Sequence, residues 1–263
     1  MASDSAHDVL LRADGAAGRP RLGGMARPNG VVIVSERFWA FASTSGELRE
    51  GSMSSSRRRT DGIPLLRGLA QLAASLRPLV RGGGVASTAE RLFLLAAVVA
   101  PLVLLSQLSS SLQLPVGLGC SALLLVWLMR GRTLRLHGAE HRAIAAAEHG
   151  LLADTWAGAA RPSRFAPRCG TNFAALALPV TALFDRLVPA LALPALTGAF
   201  VAVLALAATM ELWKAVQHPS GLLRGLLLPG LALQRLTTRE PTVEETRVAL
   251  RAAASVLRRE LDA

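Results

Sequence analysis

Two long apolar blocks dominate the pattern of hydrophobic and polar positions along the chain. Residues 92–129 contain no charged side chain, and residues 171–210 contain only one acidic and one basic residue. About 20 helical residues cross the hydrocarbon core of a bilayer, so an uncharged run of this length predicts a membrane span. Each block is about twice that length and is broken near its middle, at 106–115 and 184–189. The pattern therefore predicts two transmembrane helical hairpins with four spans.

Shorter patterns flank these blocks. Residues 30–52 carry β-branched and aromatic runs around a Ser-Gly turn, which predicts a small β-hairpin. Residues 64–80 place their apolar side chains on one helical face, which is typical of a helix lying in the membrane interface or packing on partner helices. Thr242 and Glu245 have the spacing of a capping box ahead of an apolar stripe, which predicts an amphipathic C-terminal helix. The apolar stretch 219–236 is interrupted by glycines and a proline, which favours an interfacial or re-entrant segment.

The predicted fold class is mainly α: a polytopic integral membrane protein with about four transmembrane helices in two hairpins, a small N-terminal β-hairpin and amphipathic interfacial helices. In chain order, the predicted organisation is a disordered N-terminus at 1–20, a cytoplasmic β region with a basic linker at 21–62, an amphipathic interfacial helix at 63–91, the first transmembrane hairpin at 92–130, a cytoplasmic loop at 131–170, the second transmembrane hairpin at 171–214, an interfacial or re-entrant segment at 215–241 and an amphipathic helix at 242–263.

The charge distribution agrees with a membrane location. The net charge is +11 and comes almost wholly from arginine, since Lys214 is the only lysine. Thirteen arginines precede residue 92 and seven lie at 130–168, whereas the two hairpin tips carry one between them. By the positive-inside rule, this asymmetry predicts a multi-pass membrane protein with both termini and the central loop in the cytoplasm. The expected partners are therefore membrane lipids and not nucleic acid.

The chemistry is concentrated in 137-HGAEHRAIAAAEH-149, which lies between the apolar blocks. His137 and His141 lie one helical turn apart on the same face, the arrangement with which paired histidines chelate zinc. Glu140 borders that face, where it can hold a metal-activated water and accept its proton. The H-x-x-E-H order is that of the inverzincins. The alternative is a polar surface helix that carries the pair by chance.

A catalytic zinc needs a third protein ligand and an open position for water. Two candidates are near the same predicted membrane boundary: Glu211 at the end of the fourth span and Cys169 before the third. The alternative for Glu211 is an ion pair with Lys214 or Arg135. The alternative for Cys169 is a small buried residue ahead of a glycine turn.

Several separated motifs resemble those of the YqhQ-like family of bacterial membrane proteins, a family of unknown function whose members are predicted metal-dependent enzymes. The motifs are GGMARPNGV at 23–31, PLLRGL at 64–69, HGAEHRAI at 137–144, PRCGTNF at 167–173 and PGLALQRLTTREP at 229–241. The resemblance implies a multi-pass inner-membrane protein with a metal site at the histidine motif. Carried over by position, it implies functional importance for His137, Glu140, His141, Glu148, Arg168, Cys169, Gly170, Thr171, Thr237, Thr238 and Glu240.

The chain departs from the family pattern at two places. The N-terminal motif of relatives usually contains a glutamate that GGMARPNGV lacks, and Glu36 is the nearest replacement. Relatives often carry a histidine at the position of Ala166, just before PRCG. Either change puts the activity of this particular member in question.

Two functions follow as competing hypotheses. The first is a metal-dependent membrane enzyme, a hydrolase in which a metal-activated water, with zinc as the expected metal, attacks an unknown small or lipid-like substrate at the cytoplasmic face. The second is a non-catalytic scaffold or assembly factor that binds a protein partner through its amphipathic helices, the C-terminal helix above all. A transporter has little support, because there are few intramembrane charges and no inverted repeat.

Overall fold

A four-stranded antiparallel sheet forms at 23–52, where the sequence predicts one small hairpin. In the computed structural model the strands β1 (Gly23–Arg27), β2 (Gly30–Val34), β3 (Phe38–Ser43) and β4 (Leu48–Ser52) pair in chain order. The structure describes residues 5–18, 20–53, 62–70, 131–190, 197–217 and 222–263, with isolated positions between 73 and 126. A hairpin has two strands, so the sheet has two additional ones, and one of these is β1, whose sequence GGMAR lacks β-branched and aromatic residues.

The two faces of the sheet carry different side chains because successive residues of a strand point to opposite sides. Val31 and Ile33 of β2, with Ala40 and Ala42 of β3, belong to the main buried cluster under the helices. The alternate positions, Val32, Trp39 and Phe41, form a separate small cluster on the opposite face. The small alanines on the helical side let a helix approach the sheet closely.

Four helices contribute to the main buried cluster beside the sheet: α1 (Ala6–Asp14), α2 (Thr133–His149), α3 (Leu152–Ala157) and the C-terminal α7 (Val243–Leu261). Of these, α2 and α7 pack on the strands, and α1 and α3 pack on the other helices. Helix α1 lies within the segment predicted to be disordered, so that prediction is wrong. It is held by a Ser5–Asp8 capping box and by the burial of Val9 and Leu10 in the main cluster.

Helix α7 begins with the predicted capping box, in which Thr242 and Glu245 bond reciprocally. Its apolar stripe is buried against the sheet, α1 and α2, with Leu250 at 0% and Leu257 at 2% exposure. The need for an external partner to cover this stripe, which motivated the scaffold hypothesis, is therefore removed. A protein partner at this helix stays a prediction.

Among the described residues, four further helices pack with one another beside this layer. They are α4 (Gly170–Ala190), α5 (Thr197–Val216), a 3₁₀ helix (Leu222–Leu227) and α6 (Leu228–Thr237). Leu176, Val216 and Leu227 form their buried cluster. Within the segment predicted to be interfacial or re-entrant, α6 packs on α4, and Gly230 lies directly against Asn172.

The prediction of a polytopic membrane protein is wrong. In the described ranges, no helix has both the length and the apolar character needed to cross a bilayer. The second predicted hairpin shows the reason. The uncharged part of α4, 170–184, spans about 22 Å and that of α5, 197–210, about 21 Å at 1.5 Å per residue, whereas the hydrocarbon core is about 30 Å thick.

The same finding overturns the predicted location as a multi-pass protein of the inner membrane with cytoplasmic termini. This finding concerns spanning helices alone, so an interfacial helix at 63–91 and membrane lipids as partners stay predictions. The first predicted hairpin, at 92–130, lies almost wholly outside the described residues, as does most of 63–91.

Candidate metal site

Helix α2 brings the two predicted ligands together. It ends at Gly150, whose φ of 67° is a left-handed conformation that glycine adopts without strain. His137 and His141 lie one turn apart, and their ring centroids are 4.4 Å apart with an angle of 64° between the planes. His141 is buried at 2% exposure, and His137 is half-buried. The spacing argument from the sequence is therefore realised in three dimensions.

The outer nitrogen of each imidazole is held by a backbone carbonyl. His137 Nδ1 lies 2.8 Å from the carbonyl oxygen of Thr237, and His141 Nδ1 lies 2.6 Å from that of Arg164. A carbonyl can only accept, so Nδ1 must carry the proton in both rings. In the neutral imidazoles Nε2 then has a free lone pair. Histidine ligands of metals typically have this outer hydrogen bond, which sets the tautomer and the ring orientation.

Cys169 faces the same point from the start of α4. Its sulfur lies 3.3 Å from His137 Nε2, accepts the Thr171 amide at 3.4 Å and lies 3.3 Å from the Thr171 hydroxyl. The residue is 7% exposed. An amide donor at a helix N-terminus stabilises negative charge on the sulfur, the form in which cysteine binds a metal.

The two Nε2 atoms and the sulfur form one cluster of possible ligands, all within 4.8 Å of one another. Zinc bonds of about 2.0–2.1 Å to nitrogen and 2.3 Å to sulfur place tetrahedral ligand atoms about 3.6 Å apart, close to the observed sulfur–nitrogen distance. His141 Nε2 is buried and, among the residues that the structure describes, has no hydrogen-bond partner. A buried acceptor without a partner is rare and costly, so the donor set fits a bound cation.

Glu140 lies next to this cluster but is not one of its three members. Its carboxyl is buried, and this burial raises its pKa to about 7, although the neighbouring His137 and the Ala26 backbone act in the opposite direction. Strand β1 covers it: a Cβ at Gly24 would lie 2.7 Å from Glu140 Cγ. Close approach of β1 therefore requires glycine here, which assigns a role to the GGMA motif.

The structure places Glu211 elsewhere. Its carboxylate accepts from Arg67 Nε at 2.8 Å and from Nη2 at 2.6 Å, and this bidentate contact lowers the pKa of Glu211. The predicted alternative was an ion pair with Lys214 or Arg135, but the partner is Arg67 of the PLLRGL motif. Of the two candidates for the third ligand, Cys169 is in the cluster and Glu211 is not.

Motif residues implied by the family resemblance surround the cluster. Thr237 holds His137 through its carbonyl, and its hydroxyl lies 3.4 Å from that of Thr171. Glu148 pairs with Arg168, the neighbour of Cys169; burial lowers the Arg168 pKa, as does the nearby charge of Arg21. The other three motif residues are Gly170, which begins α4, Thr238, whose hydroxyl donates to the Gln234 carbonyl, and Glu240, which pairs with Arg142.

Three supporting residues were missed by the sequence reasoning. Arg164 supplies the carbonyl that holds His141, and its guanidinium donates to Thr238. Gln234 and Asn172, both fully buried, bind the backbone of Ala166 and so hold the loop before Cys169. The sequence signal that could have identified Asn172 and Gln234 was a side-chain amide within each of two motifs, PRCGTNF and PGLALQRL. Glu36, considered as a replacement for the missing glutamate, is exposed.

Comparison with known proteins identifies a family but no characterised relative. No curated protein and no solved structure matches the chain significantly. The YqhQ-like name stays a prediction, whereas the resemblance to a family of unknown function is confirmed. The family model described as Protein of unknown function (DUF1385) matches residues 91–259, well over half of the chain, and the protein belongs to that family.

Proposed function

We propose that the protein binds a divalent metal, zinc, through His137 Nε2, His141 Nε2 and Cys169 Sγ, and that this site catalyses hydrolysis. The supporting observation is the convergence of three ligand atoms from two separate motifs with one buried imidazole nitrogen left without a partner. Two nitrogens and a thiolate suit zinc among the common divalent ions. Three protein ligands leave one position for water or substrate, the composition typical of catalytic zinc sites.

When bound, the metal supplies a Lewis acid that polarises a water molecule or a substrate oxygen. The chain's own residues do the rest. Thr237 and Arg164 hold the imidazoles in the ligating tautomer, and Thr171 orients the sulfur. Glu140, one residue before His141, accepts the proton of the attacking water, the role assigned to the glutamate of the H-x-x-E-H motif.

Elemental analysis tests the binding. The full chain, purified without chelators and dialysed against zinc, is expected to retain about one equivalent of the metal. His137→Ala/His141→Ala should lose it while keeping the wild-type circular dichroism spectrum. His149→Ala is the matched control, because that exposed histidine bonds only to Ala145 of its own helix. Zinc-free wild-type protein after dialysis would refute the proposal.

The third ligand and the base have separate tests. Cys169→Ser is expected to weaken zinc binding in competition with a chromogenic chelator, and Glu211→Gln is expected to leave it unchanged. Wild-type protein is expected to turn over p-nitrophenyl ester or phosphate probes. Glu140→Gln should retain zinc but lose this turnover. Retained turnover in Glu140→Gln would remove the assignment of the base, whereas failure of zinc binding would remove the site.

One observation favours a second function. The distance of 3.3 Å between Cys169 Sγ and His137 Nε2, with His137 oriented by Thr237, is also the arrangement of a cysteine nucleophile and its base. Iodoacetamide distinguishes the two. A nucleophilic thiol is alkylated rapidly in the metal-free protein, its alkylation slows in His137→Ala, and saturating zinc does not protect it. A thiol that is a zinc ligand is protected from alkylation by saturating zinc.

A further inference from the structure

A small cavity with charged residues in its lining lies beside the metal site, on the other side of the segment that holds His141. Its volume is about 200 Å³, and its lining includes Arg142, Arg161, Glu240, Pro241 and Thr242. This volume is below the roughly 300 Å³ at which pockets for drug-sized ligands begin, so the cavity suits a small group. The functional site described above uses none of its side chains.

The buried guanidinium of Arg142 has spare hydrogen-bonding capacity. The Arg142 side chain is 8% exposed, and it donates from Nε to the Pro162 carbonyl at 3.1 Å and from Nη2 to Glu240 at 2.7 Å. In the described part of the chain, Nη1 has no protein partner. Nη1 is accessible and not sealed in the protein, so it is a free charged donor that a ligand can reach.

The charge around the cavity is not balanced by the protein. Glu240, the carboxylate in the lining, is 60% exposed and lies 3.5 Å from a second guanidinium, that of Arg164. Among the described residues, Arg161 has no hydrogen-bond or ion-pair partner. Glu245, one turn into α7, is occupied by the Thr242 amide and by Arg132. Three guanidinium groups therefore share one carboxylate, which leaves a positive potential at the cavity.

Two of the neutral hydroxyls in the lining already donate within the protein: that of Thr155 to the Leu151 carbonyl and that of Thr246 to the Thr242 carbonyl. The Thr242 hydroxyl accepts from the Glu245 amide and keeps its own O–H as a neutral donor. The charged donors are guanidinium N–H groups, whose planar fork matches the oxygens of a phosphate. A cation would be repelled, and an uncharged ligand would leave the charge uncompensated.

From these observations we propose that the cavity binds a small water-soluble anion through its phosphate group, which Arg142 and Arg161 hold. The inference is independent of the metal, because none of the three metal ligands lines the cavity. The two sites share only the intervening loop, in which the Pro162 carbonyl accepts from Arg142 and the Arg164 carbonyl accepts from His141.

Isothermal titration calorimetry of the full chain with inorganic phosphate tests this proposal, with sodium chloride at matched ionic strength as the reference. Saturable binding is expected with phosphate and not with chloride. Arg161→Gln should weaken the Kd about tenfold, as expected for loss of a charge-assisted hydrogen bond. Glu240→Gln should tighten it, because the carboxylate that competes for the guanidiniums is removed. Arg142 is not substituted, since it also holds Pro162.

Arg49→Gln is the control for the loss of one positive charge, because Arg49 lies on β4 and pairs with Glu47 outside the cavity. This variant should bind phosphate with the wild-type Kd. The proposal is overturned if wild-type protein gives no saturable phosphate signal beyond that of chloride. It is also overturned if Arg161→Gln and Arg49→Gln weaken binding equally, since a general effect of net charge would then explain the data.

Discussion

Gly138→Ala provides the sharpest test of how the metal site is held. Gly138 lies between the two histidines on α2, where the chain after α6 crosses the helix. A Cβ at this position would approach the carbonyl oxygen of Arg239 to well under 3.0 Å, a separation that real Cβ atoms essentially never show. The obstacle is backbone and not the end of a flexible side chain, so either α2 or the 237–241 segment must move.

Two opposing contributions decide the magnitude. Replacing glycine by alanine in a helix interior normally stabilises by about 1 kcal/mol. Overpacking costs about 1–3 kcal/mol, and a backbone obstacle places this site at the upper end. The expected net loss in the free energy of unfolding is therefore about 2 kcal/mol. Displacement of the crossing segment also disturbs the Thr237 carbonyl that holds His137, and loss of such outer support lowers metal affinity about 10–100-fold.

Urea unfolding followed by circular dichroism measures the stability, and competition with a chromogenic chelator measures the zinc affinity. Gly170→Ala is the control, because nothing lies within 4 Å of its Cβ position and it is likewise a helical glycine, the first residue of α4. We expect that control to be at least as stable as wild type and to bind zinc normally. If Gly138→Ala behaves like Gly170→Ala in both assays, the steric reasoning is refuted.

Three further predictions concern the framework. Thr242→Ala removes the side-chain cap of α7 and should cost about 1 kcal/mol in urea unfolding, with Ser45→Ala as a surface control. Gln234→Leu leaves the Ala166 amide unpaired and should cost about 1–3 kcal/mol and weaken zinc binding; an unchanged zinc affinity would show that this loop does not position Cys169. Burial disfavours ionisation of Glu260, but its hydrogen bonds from Arg37 and Ser35 outweigh that effect and lower its pKa. Stability from this carboxylate is therefore present above its usual pKa of 4.5 and lost as the pH falls through the lower folded value, and Glu260→Gln should flatten that acid limb in unfolding measured from pH 6 to 3.

Relations between neighbours in the sequence were predictable because helix geometry alone sets them. The separation of one turn between His137 and His141 and the capping box of α7 follow from 3.6 residues per turn, whatever the rest of the chain does. The same local reasoning failed for the apolar blocks. Apolar content along a chain does not distinguish a helix that crosses lipid from helices whose uncharged stretches of about 20 Å pack on one another, as those of α4 and α5 do.

Contacts between residues far apart in the sequence needed the tertiary structure. His137 contacts Cys169, 32 residues away in the sequence, and Arg67 binds Glu211, 144 residues away. Strand β1 packs on Glu140 from more than 100 residues away. No periodicity encodes such pairings, because they depend on which faces of several elements are buried together. The sequence by itself determined the pair of imidazoles and the local caps. The packing of α2, α4 and β1 decided that a thiol and not the Glu211 carboxylate lies with the two imidazoles, and that β1 lies directly against Glu140.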